Sequence, residues 1–213
     1  MRKPGLTPSQ RTLKRTLDLL LATPALIIVS PLIIIGVIIA AIDTRESGIF
    51  SQERIGRNGV PFYLYKIRTM RTSTAMNTDV TRRGDPRVTH SGRVMRTLKL
   101  DELPQLFNVV RGQMSLVGPR PDVAGFADRL TGPDRIILTV RPGVTGPATI
   151  AYRHEEALLE AQTDPERFNR EVLWPDKVRI NREYVESYSI RSDIAVIGKT
   201  FKRIIKLQET ETY

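Results

Sequence analysis

The chain contains no cysteine, which excludes disulfide bridges and thiolate metal sites. Its two histidines, His90 and His154, lie far apart without ligand spacing, so no zinc site is expected. Aromatic residues make up 6% of the chain, little material for stacking nucleic-acid bases. No helix-turn-helix, RNA-binding or finger pattern appears, and no internal repeat. Acidic charge is in deficit: 33 Lys and Arg stand against 23 Asp and Glu, a formal net charge of +10. Such an excess draws anions, whether nucleic acid, phosphorylated substrates or an anionic membrane face. With the nucleic-acid motifs missing, the last two remain. The 213 residues suffice for one domain of ordinary size, or one domain plus an anchor.

Charge is wholly missing from residues 19–42, LLLATPALIIVSPLIIIGVIIAAI. That run is long enough to cross a hydrocarbon core of roughly 30 Å. It is too long for a cleavable signal peptide and ends in no A-x-A-like site, so residue 1 is expected to start a retained arm. Basic residues flank both ends: Arg2, Lys3, Arg11, Lys14 and Arg15 before it, Arg45, Arg54, Arg57, Lys66 and Arg68 after it. Short basic flanks stay cytoplasmic, and a single crossing would export one of them. Pro31 removes a backbone donor and kinks a helix, while the Ser30 hydroxyl can bond a freed carbonyl one turn back. Spanning helices also carry prolines, so re-entry and a simple span both remain open on these residues. Asp18 at the edge of the run has Lys14 and Arg15 at pairing distance on a helix, which reads as a local helix-end ion pair.

Asn58-Gly59, between strand-like runs in 49–67, predicts a two-residue hairpin turn. Residues 71–92 read as a polar loop, 101–111 as a short helix and 122–130 as another. VGPRP at 117–121 excludes regular helix, and RPGVTGP at 141–147 reads as a rigid turn. Residues 155–188 read as helical, broken near Pro165 and Pro175. In 193–207, Ile194, Ile197, Phe201, Ile204 and Ile205 recur at helical spacing with basic residues mostly elsewhere. That pattern suits an interfacial helix on a membrane, or one packed on the protein core.

Asp101 and Glu102, just before Pro104, suit the first turn of a helix as dipole-compensating acids. Chemistry is the other reading. Arg96, Lys99, Arg111 and Arg120 lie within about twenty residues, and a cationic pocket would hold Asp101 ionised. An ionised carboxylate can attack phosphorus, and Glu102 beside it could hold Mg²⁺, which takes one or two carboxylates plus phosphate oxygens. Pro119 and Pro121 fix the backbone around Arg120, which lowers the entropy lost in aiming a guanidinium at phosphate. Lys66, Arg68 and Arg71 form a phosphate clamp if they converge with Arg120, and otherwise a solvated basic face.

Taken together, KRTLD at 14–18, the Ser30-Pro31 pair, QERIGRNGVPFYLYKIRTM at 52–70, LKLDELPQLFNVVRGQMSLVGPRP at 98–121 and RPGVTG at 141–146 resemble the bacterial sugar transferase family, the monotopic phosphoglycosyl transferases. The resemblance covers about residues 11–205, and the length is similar to that of minimal single-domain members. It implies an α/β, mostly helical fold: a re-entrant N-terminal helix-break-helix over 1–45, then over 46–207 a catalytic domain with a small β-hairpin and interfacial amphipathic helices, and a polar tail at 208–213. It implies transfer of a sugar-1-phosphate from a UDP-sugar to a polyprenyl phosphate such as undecaprenyl phosphate, initiating surface glycan assembly on the cytoplasmic face of the bacterial inner membrane.

Carried over residue by residue, Asp101 would be the nucleophile forming a covalent phosphosugar intermediate and Glu102 the Mg²⁺ ligand. Arg96 would lie near the site, Arg120 would meet the nucleotide within the Pro119–Pro121 block, and Ser30-Pro31 would be the helix break. Lys66 and Arg68 join them as candidate substrate contacts. One departure stands out: many members read close to RPGITGLAQV, where this chain has RPGVTGPATI, with Pro147 and Thr149 in place of leucine and glutamine. The sugar is therefore left open. So are the glycan pathway, the prenyl length and the oligomeric state, a homodimer being one arrangement. The rival from another class is a membrane-anchored binding or scaffold protein without turnover, in which the acid pair is a cap and the arginines bind anionic lipid or a partner.

Overall fold

A computed structural model describes residues 5–72 and 85–210, with side chains to 202 apart from Glu156. Most of the polar stretch expected as a loop after the hairpin, and the distal part of the C-terminal amphipathic face (Ile204 and Ile205 included), lie outside the described residues or side chains. The chain opens with α1, Pro8–Thr44, 37 residues long. Thr7 caps it, its hydroxyl accepting from the Gln10 amide while the Gln10 side chain accepts from the Thr7 amide, a reciprocal capping box. Arg45 closes it in the left-handed conformation. Pro24 and Pro31 both lie inside α1, so the helical backbone is not interrupted at Ser30-Pro31 as expected. The Ser30 hydroxyl donates to the Ile27 carbonyl at 2.8 Å, the oxygen that Pro31, lacking an N–H, leaves without its helical donor.

Strands β1, Ile49–Ile55, and β2, Pro61–Ile67, form the expected antiparallel hairpin, from Ile49 opposite Ile67 to Ile55 opposite Pro61. Asn58 and Gly59 take φ of 61° and 78°, and the Val60 amide donates to Arg57. Two successive positive φ values are what a tight hairpin turn needs. Both ends of the apolar part of α1 pack on this hairpin. Ala22 joins Phe62, Leu64, Val109 and Met114 in one core cluster, and Ala40 joins Ile67 and Met95 in another. Between them Ile27, Ile28, Ile34 and Ile35 are exposed. α1 is the one described helix long and apolar enough to cross a membrane by length and composition.

After α2, His90–Thr97, a 3-10 turn at Leu100–Glu102 leads into α3, Gln105–Val110. The turn at 141–147 proves to hold a strand: β3, Ser115–Val117, pairs in parallel with β4, Gly143–Thr145. The second short helix expected over 122–130 is reduced to a 3-10 turn at Ala127–Arg129. Helices α4 (Pro147–Ala151), α5 (Glu155–Glu160) and α6 (Pro165–Phe168) follow. A π-helical segment, Asn169–Leu173, runs directly into α7, Trp174–Glu186. Pro175 therefore breaks nothing. It sits in the first turn of α7, and the preceding π segment already shifts the hydrogen-bond register.

The last helix, α8 (Ile190–Thr210), packs partly on the main core: Val196 is buried and Ile197 rests against it, while Ile194 and Phe201 are exposed. The ion pair expected within α1 is replaced by long-range contacts. The Lys14 ammonium reaches the Asp193 carboxylate of α8 at 2.5 Å. Arg15 donates to the carbonyls of Val109 and Val110. Asp18 accepts from the Ser115 hydroxyl and the Leu116 amide of β3. Burial is the reason: these side chains face protein, and a buried polar group takes the partner that satisfies it.

Candidate active site

The β3–β4 pair explains why two glycine–proline blocks stand so far apart in sequence. The Gly118 amide donates to Thr145 and the Gly143 amide to Pro119, which clamps residues 117–121 against 143–145. A Cβ on Gly143 would lie 2.1 Å from the Gly118 nitrogen, and one on Gly118 would lie 2.6 Å from the Arg141 carbonyl. Backbone meets backbone here, and only glycine fits. Gly143→Ala is accordingly expected to cost about 3 kcal/mol or more, a fall in melting temperature of roughly 6–12 °C. Thermal unfolding checks it, and an unchanged midpoint would remove the clamp.

The clamp presents Arg120. One guanidinium nitrogen lies 3.0 Å from a Glu102 carboxylate oxygen, and the Lys66 ammonium from β2 stands 3.6 Å from the same oxygen. Arg54 of β1 reaches the Pro121 carbonyl at 3.4 Å. Asp101 and Glu102 lie on the 3-10 turn before Pro104, which starts after Lys99 with its backbone in the left-handed region at φ 58°. Burial pushes the Glu102 carboxyl up, but Arg120, Lys66 and Lys99 together overcome it and hold it well below the usual range. At Asp101 the balance runs the other way. Burial first, and then the Glu102 charge, raise it, against Lys66, Lys99 and Arg96. The cations expected to hold Asp101 ionised are thus opposed there by burial and by the Glu102 charge. Asp101 is 6% exposed, and its Oδ1 is buried without a hydrogen-bond partner among the described residues. Lys66 is itself lowered, by burial ahead of the opposing pull of Glu102.

An orphaned carboxylate oxygen next to a second carboxylate is a donor set for a hard cation. Among the described residues no three acidic, histidine or cysteine side chains converge. Mg²⁺ needs only one or two carboxylates when water and phosphate oxygens complete its shell, so the pair fits such an ion. The cations around it suit the phosphates of a substrate.

Residues 9–207 match the family described as bacterial sugar transferase. The chain belongs to the bacterial sugar transferase family. It is similar, at 32% identity over 206 residues, to a UDP-N-acetylgalactosamine-undecaprenyl-phosphate N-acetylgalactosaminephosphotransferase of Aeromonas hydrophila, with 93% of this chain and 45% of that protein covered. An undecaprenyl-phosphate galactose phosphotransferase of Salmonella typhimurium is 34% identical over 216 residues, covering 93% and 41%. The exopolysaccharide production protein ExoY of Rhizobium meliloti is 33% identical over 207 residues, covering 90% and 84%. The chain thus spans less than half of the first two relatives and most of the third.

Within this family member, Asp101, Glu102, Lys66 and Arg120 come together, with Lys99 and Arg96 close enough to act on the Asp101 charge. Pro119 and Pro121 frame the arginine. Arg68 does not join them: it pairs with Glu46 at 3.0 Å, donates to the Ser47 carbonyl and lies over the Phe50 ring. Arg71 is held by Asp43, and Arg111 lies over the Phe107 ring. The clamp of three side chains after the hairpin therefore reduces to Lys66. The reason is position: Arg68 lies just beyond the end of β2, where Glu46 and Ser47 after the α1 exit capture it. Sequence reasoning missed Asp122, whose carboxylate meets the Trp174 indole N–H at 3.5 Å. No spacing links positions so far apart.

Proposed function

We propose that the chain transfers a sugar-1-phosphate from a UDP-sugar to undecaprenyl phosphate or a related polyprenyl phosphate at a membrane surface. The observation that carries this reading is the buried Asp101 carboxylate with an unengaged oxygen, beside a Glu102 held ionised by Arg120 and Lys66. The relatives' names supply the substrate class. In the first step an Asp101 oxygen attacks the sugar-bearing phosphorus, the bond from that phosphorus to the bridging oxygen breaks, and UMP leaves with the electron pair. In the second, a phosphate oxygen of the polyprenyl phosphate attacks the acyl phosphate and the carboxylate returns. Net products are UMP and the polyprenyl-diphosphate sugar.

Arg120 and Lys66 offset charge on the phosphoryl oxygens, and burial keeps water from the acyl phosphate. Mg²⁺, held by Glu102 beside Asp101, would supply Lewis-acid neutralisation of the same oxygens. In a panel of UDP-sugars, UMP release is expected from at least one, dependent on the lipid phosphate and lost on adding EDTA. Binding without release from any of them would favour the anchored binding protein instead.

The same reading takes α1 as a monotopic, re-entrant anchor at the cytoplasmic leaflet. Support comes from its packing. Ala22 and Ala40 are 18 residues apart, about 27 Å along a straight helix, yet the two core clusters they join include Leu64 and Ile67 of β2, roughly 10 Å apart along the strand. Polar partners from one folded body also flank the apolar run, Ser115 and Leu116 at Asp18 and Ser91 at Asp43. A straight crossing would put that body on both sides of the bilayer. Because the chain lacks cysteine, Ser9→Cys and Ser47→Cys give clean labels. Both are expected to be protected in intact cells and labelled once the membrane is permeable; opposite accessibility would overturn this topology.

A further inference from the structure

A cavity of about 540 Å³ lies outside the acid–cation cluster, between the segment after Pro121 and the start of α7. Phe126 and Trp174 form one wall, edge to face at 5.6 Å between ring centroids. Arg129, Arg170 and Asp134 line it, with Leu130 buried behind. Asp134 spends one oxygen on Arg182 at 2.7 Å, whereas neither Arg129 nor Arg170 has a carboxylate partner among the described residues. The cavity is also tied to the reaction centre. Asp122, which takes the Trp174 indole N–H, follows Arg120 by two residues, at most about 7 Å of chain, and Arg120 touches Glu102.

We infer that this cavity binds the uridine end of the nucleotide donor, through the Phe126–Trp174 wall and the Arg129, Asp134 and Arg170 side chains. The inference rests on the transferase reading for the identity of the donor and adds where its base is held. The volume lies in the range of small-molecule sites, and an apolar, aromatic lining with a few polar groups is how such sites select ligands. A base offers a flat face to an aromatic wall. The polar complement suits the edge of a pyrimidine such as uracil. Its pairing edge presents acceptor, donor, acceptor. Guanidiniums only donate, and the Asp134 carboxylate accepts. The two unpaired cations also draw an anionic nucleotide toward the cavity.

Trp174 is the chain's one tryptophan, so intrinsic fluorescence of the full-length protein in detergent or nanodiscs reads this wall directly. Titration with UMP is expected to change Trp174 emission saturably, ribose 5-phosphate, which lacks the base, to need at least about tenfold higher concentration, and inorganic phosphate not to displace UMP at comparable concentration. The Arg129→Gln, Arg170→Gln double variant should weaken UMP binding about tenfold or more and raise KM for the donor more than it lowers kcat. Asp101→Asn should keep the UMP response. No saturable response, equal responses to UMP and ribose 5-phosphate, displacement by phosphate alone, or an unaltered KM in the double variant would each overturn the assignment. A chain that binds UMP selectively yet turns over no UDP-sugar retains the nucleotide site and loses the transferase reading. Turnover without any Trp174 response does the reverse.

Discussion

Asp101→Asn is expected to lower turnover by about 10⁴-fold or more and to leave no sugar phosphate trapped on the protein by mass spectrometry. The amide matches the carboxylate in shape and cannot form the acyl phosphate. Stability should respond in the opposite sense. In the folded chain burial and the Glu102 charge raise the Asp101 carboxyl. A carboxyl raised on folding binds its proton more tightly in the native state, so ionising it costs folding free energy. That cost is absent below the unfolded value near 4, grows as pH rises through the interval up to the folded value, and is full above it. The variant should therefore melt at or above the wild-type temperature at neutral pH, with the gap closing as pH falls toward 4. Near-normal turnover would exclude the nucleophile, and a large fall in melting temperature would mean that the carboxylate is instead a structural partner.

That pair of opposite effects shows what the sequence could and could not disclose. The acids, their basic company and the turn-forming prolines are local and legible, and so is the Asn58-Gly59 hairpin, whose conformational demand sits in two adjacent residues. The sign of the shift at Asp101 is not local. It comes from how deeply the 3-10 turn is buried under β2 and the 117–121 segment. The same holds for β3 and β4. Their short runs read as turns because their pairing is a contact between Ser115 and Gly143, 28 residues apart, and only the glycine-on-glycine approach makes it possible. Pro175 misleads for a related reason, since a π segment immediately before it removes the usual conflict. Arg68 was read with Lys66 from spacing alone, whereas the α1 exit supplies Glu46 and captures it.

The second large effect lies at Lys14, where a local reading was natural and the partner proved to be 179 residues away. The Lys14 ammonium and Asp193 carboxylate are both buried, and the hydroxyls of Tyr184 and Tyr188 donate to the same carboxylate at 2.6 and 3.3 Å. Burial, reinforced by the Asp193 charge, raises both phenols, so they remain donors. Asp193→Ala strands a buried cation and two hydroxyls at once. The expected cost is about 3–5 kcal/mol, a fall of roughly 6–20 °C in melting temperature. Asp193→Asn keeps an acceptor for the tyrosines and should cost less. Adding Lys14→Met to Asp193→Asn should recover part of the loss, because the charge is then no longer unpaired, and a double-mutant cycle measures that coupling. One turn beyond Lys14, Asp18 holds β3 by Ser115 and Leu116, and β3 leads through Gly118 to Arg120. Loosening the seat of α1 should therefore reach the reaction centre: well below its own melting temperature, Asp193→Ala should turn over more slowly than wild type. Full activity in a destabilised variant would show that the latch holds the helices together without positioning Arg120.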